Sequence, residues 1–561
     1  MTDAVDDKLY PFLTFRGAGG PALSGGVPST LAEAAPRPRP EDTTIFLADL
    51  SGEPDDLRAQ QWGVVIPDDE RGHRLLSLVR PLLAHRGEQQ GREPHVYRVQ
   101  PNMTAEQAVA FVLGPYQDEV PDTAERPRYL LLLGDSDGVS WELQRVLAQS
   151  STYPGRLAFD TDQGYEAYVE KLLAWESERE ARAIASRAAR YFAVRDSSEA
   201  VSKGLSGFLL PSHGALSKKL PAQVLAADLR PIGIESPKRL EDEASAMLAD
   251  AARTPGGLLV SLSHGVALER SAPLAERRAH QGAMHVHARR ALTAEDLRRA
   301  PFFEGGAWFF FACFSAGTPR ESVYRPWLRS LAERRFTSDD VDVATRALPD
   351  EPSPFVAALP KAALASPRGP LAVFGHVDLA WTWSFAPVQL TTGERVFKKR
   401  HARFTSLFEA LLARRRFGAA FSGLSSASAT VGAGLLTMYG SDEKPPAGEK
   451  PEQAADRAHR WLEHHDLAGF VLLGDPAARL PATAAERRRE DARPAEIAQG
   501  GPSEEVLRAE RDVLKCLEPG EDVAAVADLT GRTAEQLAEL VETYREAGRR
   551  ALAEVLAAQK R

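Results

Sequence analysis

The chain has only two cysteines, Cys313 and Cys516, among its 561 residues. Two cysteines cannot form a disulfide framework or a cysteine-rich zinc site, so the fold must depend on a hydrophobic core. The sequence also lacks a run of about 18 apolar residues, which argues against a membrane-spanning helix. The opening residues MTDAVDDKLY are acidic and contain no apolar core of a secretory signal, so we expect a cytoplasmic protein without a membrane partner.

Basic charge is not in excess either. The chain contains 69 Lys and Arg against 78 Asp and Glu, a net charge of −9, so nothing indicates a nucleic-acid-binding protein. Hydrophobic residues make up 43% and charged residues 26%, a globular composition that excludes global disorder. The sequence has no glycine-rich phosphate-binding loop with its lysine, and we expect no cofactor.

Strand-length apolar runs alternate with helical patterns from Thr43 to Pro481. Such alternation predicts an α/β fold whose mainly parallel sheets are covered by helices on both faces. Composition then divides the chain into a flexible N-terminal leader over 1–42, two α/β subdomains over 43–187 and 188–481, a linker over 482–502, and a helical module over 503–561.

The C-terminal module has the rhythm of a helix-turn-helix, with a glycine turn between two helical patterns. Residues 503–561 carry 13 acidic and 9 basic side chains, and a net-negative module is a poor reader of DNA. We therefore expect it to pack against the rest of the chain or to dock an activating protein partner.

Chemistry-bearing residues follow two predicted buried strands. Ser263-His264-Gly265 ends the apolar run 256–262, and Ala312-Cys313 ends the run 306–311. Ligands bind at the carboxyl ends of parallel strands, so a histidine and a cysteine should meet at one sheet edge. A thiolate is a strong nucleophile, and an imidazole can take its proton and later protonate a leaving amine. A free cysteine on its own is more often a buried core residue, but the paired strand ends favour a catalytic dyad.

At this point the residues resemble a known family, the caspase, gingipain and separase group of cysteine peptidases, and most closely its gingipain-like branch. The resemblance covers most of residues 43–481. It rests on the two strand ends above and on five further stretches, which are YLLLLGD (129–135), GRLAFDTDQGYEAYVEKLLAWE (155–176), HQGAM (280–284), AVFGHVDLAW (372–381) and VLLGDPAARL (471–480).

The resemblance implies two caspase-like α/β/α subdomains, the second of them catalytic, acting on protein or peptide substrates. It makes His264 the general base and acid and Cys313 the nucleophile. The backbone N–H groups of Gly265 and Cys313 would bind the oxyanion, and Trp381 would wall the pocket for the substrate's P1 side chain. By analogy with intracellular relatives it also suggests a regulated role, such as a bacterial defence or cell-death effector.

Carboxylates complete the expected site. Glu142 is the candidate for orienting His264, with capping or surface roles equally open. Members of the gingipain-like branch favour basic P1 residues, which implies preference for Arg or Lys and a carboxylate at the pocket floor. Asp135, Asp137 and Asp378 are the candidates, because all three follow predicted strands that end at the same edge.

Alternatives remain open at the sequence level. The fold could serve as a scaffold that has lost catalysis. Gly134-Asp135-Ser136-Asp137-Gly138 spells the nucleophile elbow of a serine hydrolase, although two flanking carboxylates oppose an oxyanion there. His213, in a second Ser-His-Gly, could replace His264 as the base. His280, His285 and His287, with Glu304, could hold a metal, but their spacing matches no zinc signature.

The charged segment from Arg329 to Glu351 predicts an exposed loop behind the nucleophile strand. The resemblance implies self-cleavage in this region, which we expect near Arg334-Arg335.

Overall fold

A computed structural model describes much of the chain. The described residues are 8–16, 20–28, 52–176, 184, 186–194, 196, 198–221, 223, 255–287, 290–333, 344–348, 354–391, 394–439, 451–491, 513, 515–516, 523–530 and 532–545. They divide into two compact units, 1–483 and 484–561.

Strands and helices alternate along most of the first unit. The strands, in chain order, are β1 Lys8–Leu9, β2 Leu13–Phe15, β3 Val27–Pro28, β4 Trp62–Pro67, β5 His95–Val99, β6 Tyr129–Leu133, β7 Tyr153–Leu157, β8 Ala189–Ala193, β9 Leu258–Leu262, β10 Gly265–Ala267, β11 Met284–His287, β12 Arg290–Leu292, β13 Ala307–Phe311, β14 Gly317–Thr318, β15 Phe355–Val356, β16 Ala372–His376, β17 Val388–Thr391, β18 Glu394–Phe397 and β19 Phe470–Gly474. The helices of both units include Leu57–Gln60, Glu70–Leu78, Arg80–Gln90, Ala105–Leu113, Pro115–Asp118, Trp141–Gln149, Asp162–Glu176, Glu199–Gly204, the π-helical Leu205–Leu209, Leu210–Lys219, Leu274–His280, Ala294–Arg299, Arg325–Glu333, Ala358–Ala365, Ala402–Leu412, Phe417–Leu436, Pro451–Ala468, Ala484–Asp491 and Val523–Thr530.

One nine-stranded sheet organises the first unit, in the order β5-β4-β6-β7-β19-β16-β13-β9-β8. β4 is parallel to β5 and β6, and β13 is parallel to β9 and β16. Strands such as β6 (YLLLL) and β13 (AWFFF) are buried at every residue, as expected when helices cover both faces of a sheet. The expected α/β fold with a mainly parallel sheet is therefore confirmed.

Both predicted subdomains, 43–187 and 188–481, contribute strands to this one sheet. β19, near the end of the second subdomain, lies between β7 of the first and β16 of the second, and it is antiparallel to β16. The segments that follow β6 and β13 meet at one edge of the sheet. There the Trp141 indole N–H donates to the Thr318 carbonyl at 3.1 Å.

The N-terminal leader expected over 1–42 is wrong for the residues described there. Leu9, Phe12 and Leu13 are fully buried, and β2 pairs in parallel with β10. The run KLYPFLTF is short and contains a proline, and its pairing partner lies about 250 residues away along the chain, so local pattern gave no sign of this strand.

The structure describes part of the predicted exposed loop after Cys313 and does not support an exposed loop there. Arg329 lies in the helix Arg325–Glu333, and Ala347 and Leu348 are buried. The expected cleavage point at Arg334-Arg335 lies outside the described residues.

Among the described helices, Phe417–Leu436 is long and apolar enough to cross a membrane. Phe421 of this helix stacks on Phe374 of β16 with ring centroids 5.7 Å apart, and Leu424 and Leu435 are buried. This is the packing of a helix that covers one face of a sheet.

The second unit has its own small core. Val526 and Leu537 are buried, and Cys516 packs against them. Residues 484–491 of the predicted linker form a helix. A docking role for residues 503–561 stays a prediction.

A buried charge network connects residues from the early part of the first unit to Asp475, which follows β19. The Arg86 guanidinium donates to Asp475, at 2.6 and 2.8 Å, and to Glu176, at 2.6 and 2.8 Å. Asp475 follows β19 and also accepts the Trp62 indole N–H at 2.9 Å. Arg86 and Asp475 are both fully buried.

We predict that Arg86→Met lowers the free energy of unfolding by about 3–5 kcal/mol, because it leaves buried carboxylates without their cation. Arg92→Met, which breaks the exposed pair between Arg92 and Glu125, is the control and should change stability little. Urea titration followed by circular dichroism measures both. Equal effects of the two substitutions would contradict this account.

Candidate active site

His264 and Cys313 come from neighbouring strand ends. β9 and β13 are parallel and in register, with Leu262 opposite Phe311. His264 and Cys313 therefore each lie two residues beyond a paired position, at the edge expected from the sequence. Both side chains are fully buried.

Gly265 is required where the two strand ends approach each other. A Cβ atom at this position would lie 1.7 Å from the carbonyl oxygen of Cys313, so no other residue fits without moving the backbone. This close approach brings two backbone N–H groups onto one oxygen atom. Gly265 N–H and Cys313 N–H both donate to the carbonyl oxygen of Phe12, at 2.9 and 3.0 Å.

Two donors that converge on one carbonyl oxygen can stabilise the negative charge that forms there during acyl transfer. The resemblance assigned this role to the same two N–H groups.

The imidazole of His264 is held through Nε2. This nitrogen lies 2.9 Å from Asp196 Oδ2 and 3.0 Å from Ser198 Oγ. Burial by itself would raise the pKa of Asp196, but hydrogen bonds from His264 and Ser198 outweigh it and hold the pKa below the usual range. Asp196 is therefore ionised and can support a positive charge on His264.

The other ring nitrogen, Nδ1, is buried and has no hydrogen-bond partner among the described residues. A nitrogen in that state can accept a proton, which leaves Nδ1 as the basic atom of the pair.

The expectation that Glu142 orients His264 is wrong, because Asp196 occupies that position. Glu142 lies in the first turn of the helix Trp141–Gln149. Asp196 follows β8, the strand that pairs with β9 at the end of the sheet. The same strand-end reasoning that selected His264 would have reached Asp196 once β8 and β9 were known to be neighbours.

The Cys313 thiol faces the chain segment after β16. Its Sγ accepts the Ala380 N–H at 3.2 Å. Burial raises the pKa of this thiol well above its ordinary value, and the nearby carboxylates of Asp378 and Asp466 act in the same direction. The thiol is therefore neutral in this arrangement.

Asp378 and Asp466 fix the segment that carries Ala380 and Trp381. Asp378 accepts hydrogen bonds from Ser322 and from two backbone N–H groups. Asp466 accepts the Trp381 N–H at 2.8 Å and the Ser384 N–H at 2.7 Å. Burial raises the pKa of each carboxyl to about 7. Nothing in the local sequence around Asp466 indicated this role.

The expected basic P1 pocket is not supported by these contacts. Asp378 is fully engaged by the chain itself, and Trp381 is buried in a cluster of aromatic rings. Its ring centroid lies 5.7 Å from that of Tyr324, 5.4 Å from that of Trp327 and 5.6 Å from that of Trp383.

The other two predicted floor residues also have partners within the chain. Asp135 accepts the Val356 N–H at 2.7 Å and lies 3.7 Å from the Lys361 ammonium. Asp137 accepts the N–H of Gly138 at the surface.

A cavity of about 350 Å³ opens beside the turn after Cys313. Asp378 lines it, and the Asp378 carbonyl accepts the Phe314 N–H at 2.8 Å. The cavity combines aromatic and charged walls, and its other lining side chains include Trp141, Glu142, Arg145, Tyr324 and Trp461.

The structure gives less support to the alternative sites at Ser136, at His213 and at a metal-binding group. The Ser136 hydroxyl is buried and lies 3.3 Å from Asp135 Oδ1. His213 lies in the helix Leu210–Lys219, not at a strand end, and its ring packs on Tyr191 of β8. In the described part of the chain no group of three or more His, Cys, Asp or Glu residues could hold a metal ion.

Comparisons with known proteins return structural likenesses alone, since no family model and no curated protein matches the chain. A solved protease is 12% identical, with 75% of this chain and 78% of that chain covered and a TM-score of 0.43. Gingipain R, an Arg-specific cysteine proteinase, is 12% identical, with 78% and 80% covered and a TM-score of 0.40. Separase of Saccharomyces cerevisiae, solved with securin, is 12% identical, with 66% and 16% covered and a TM-score of 0.29. Gingipain R and separase are caspase-like cysteine peptidases, the group that the sequence resembles.

We predict that Asp196→Asn lowers kcat roughly a hundredfold, the size expected when a general base loses its support. Glu142→Gln is the matched control and should leave kcat unchanged. Asp196→Glu should restore part of the rate. A larger loss in Glu142→Gln than in Asp196→Asn would contradict the assignment.

Proposed function

We propose that this chain is a cysteine endopeptidase in which Cys313 and His264 form the catalytic dyad. The observation that carries the proposal is the convergence of the Gly265 and Cys313 N–H groups on a single peptide carbonyl oxygen. A peptide carbonyl in that position is polarised, and one of its two donors is the backbone N–H of the proposed nucleophile itself.

The residues support the following sequence of steps. His264 Nδ1 takes the proton of the Cys313 thiol, and Sγ attacks the carbonyl carbon. The carbonyl oxygen becomes negative while it is held by the two N–H groups. The protonated His264, stabilised by Asp196, then gives its proton to the departing amine, and a thioester forms. Water hydrolyses the thioester with His264 as the base, which regenerates the thiol.

The neutral, buried thiol has a consequence for this mechanism. Because burial raises the pKa of Cys313, the thiolate cannot persist in the closed site. Proton transfer to His264 must accompany attack, or the site must first open to water. A regulated role, such as a defence or cell-death effector, is consistent with a site that is closed at rest and rests on analogy of fold.

A second candidate is a scaffold or binding protein on the same fold. One observation favours it, namely that the cleft beside Cys313 is filled by the chain's own N-terminal segment. Reaction with a peptidyl acyloxymethyl ketone, followed by intact-mass measurement, separates the two candidates. A single covalent adduct on Cys313 supports the peptidase, and the absence of an adduct once the N-terminal segment has been displaced from the cleft supports the scaffold.

We predict that Cys313→Ala and His264→Ala each lower kcat/KM for a peptide substrate by roughly 10³-fold or more. The double variant should lose no more than either single variant, because the two residues act as a unit. Thermal unfolding should show that each variant remains folded.

Cys516→Ala is the matched control for the thiol and should keep full activity, since Cys516 lies in the second unit. His213→Ala serves the same purpose for the imidazole. A loss in His213→Ala as large as that in His264→Ala would overturn the choice of base.

A further inference from the structure

The N-terminal segment Tyr10–Leu13 runs through the cleft between the nucleophile and the loop after β16. On one side, Phe12 N–H donates to the Ala380 carbonyl at 3.0 Å, and Pro11 forms an antiparallel bridge with Trp381. On the other side, Leu13 pairs in parallel with Gly265. The peptide between Phe12 and Leu13 is therefore held from both directions at the level of Cys313.

The carbonyl of that peptide is the one that accepts both active-site N–H groups. Its oxygen lies 2.9 Å from Gly265 N and 3.0 Å from Cys313 N. The backbone of Phe12 also lies close enough to the Cys313 thiol to affect its pKa. Pairing with β10 would stabilise this strand by itself, and it does not require the Phe12 carbonyl to accept the backbone N–H of Cys313.

The Phe12 side chain fills a closed apolar pocket. Its ring packs edge-on against Phe311 at 4.9 Å and lies 6.2 Å from the His264 ring and 6.3 Å from Phe385. Gly204 forms the end of the pocket, because a Cβ there would lie 3.2 Å from Phe12 Cζ. Three of these four neighbours are apolar and the fourth is the His264 ring, and Phe12 is fully buried.

We propose that Tyr10–Leu13 is a peptide bound in cis in the substrate cleft, with Phe12 in the P1 position. Its partners then define the substrate class, which is a peptide with a large apolar residue at P1 in place of the Arg or Lys that the sequence resemblance implied. Another peptide can bind only after this segment leaves. The assignment of P1 rests on the proposed function, whereas the binding of the segment does not.

Binding is tested without catalysis. In a Cys313→Ala chain, Gly17-Ala18-Gly19 is replaced by the recognition site of an unrelated endopeptidase, the folded protein is cut there, and the released segment is removed by gel filtration. A fluorescent peptide of residues 5–16 is then titrated and followed by anisotropy. The Phe12→Gly and Phe12→Arg peptides should bind at least tenfold more weakly.

The Phe15→Gly peptide is the matched control, because Phe15 is only half-buried and pairs with Ala267, two residues beyond Gly265. It should bind much closer to the unchanged peptide. Equal or tighter binding of the Phe12→Arg peptide, or no binding of any peptide to the opened protein, would overturn the proposal.

Activity of the uncut chain gives an independent reading. Phe12→Gly removes the anchor of the segment, so turnover of a peptide with Phe at P1 should rise at least tenfold above that of the unsubstituted chain. A purely structural role for Phe12 predicts the opposite, a loss of both turnover and thermal stability. Phe15→Gly should not raise turnover.

Two outcomes distinguish the binding of the N-terminal segment from the peptidase activity. If the peptide of residues 5–16 binds the opened cleft through Phe12 but no variant turns over any substrate, the bound segment stands and the peptidase proposal fails. If the Phe12→Gly chain, with Cys313 intact, cleaves Arg substrates faster than Phe substrates, the peptidase stands and the assignment of P1 falls.

Discussion

The close approach of Gly265 to the Cys313 carbonyl is the constraint on which the site depends. Since a Cβ atom at Gly265 would lie 1.7 Å from that oxygen, the two strand ends can touch only if one of them carries glycine. The contact brings the two strand ends that carry His264 and Cys313 together and lets two N–H groups converge on one carbonyl oxygen. The parallel pairing of β9 and β13, which are buried at every residue, fixes the positions of the two strand ends.

Around that contact the chain buries acidic groups and satisfies them with its own donors. Asp196 keeps its charge because His264 and Ser198 donate to it, whereas burial raises the pKa values of Asp378 and Asp466 to about 7. In the proposed mechanism, the first carboxylate supports the positive charge on His264. The other two fix a loop by accepting backbone N–H groups.

The N-terminal segment fills the cleft at Cys313. Leu9, Phe12 and Leu13 are fully buried, so the segment adds apolar contacts to the fold. Burial of Cys313 raises the pKa of its thiol and suppresses the thiolate, whereas the hydrogen bond from the Phe12 backbone acts in the opposite direction and lowers that pKa.

The sequence alone determined the α/β class, the buried strands and the placing of His264 and Cys313 at one sheet edge, because continuous apolar runs and strand-end polar residues are local signals. It could not determine the neighbours of those residues. Asp196 reaches His264 only because β8 pairs with β9, and Asp466 reaches Trp381 from 85 residues away along the chain. Phe12 lies in a run too short to be read as a strand, and its partners are more than 250 residues distant. Such contacts are decided by tertiary packing, since a hydrogen bond between distant segments leaves no periodic pattern in either of them.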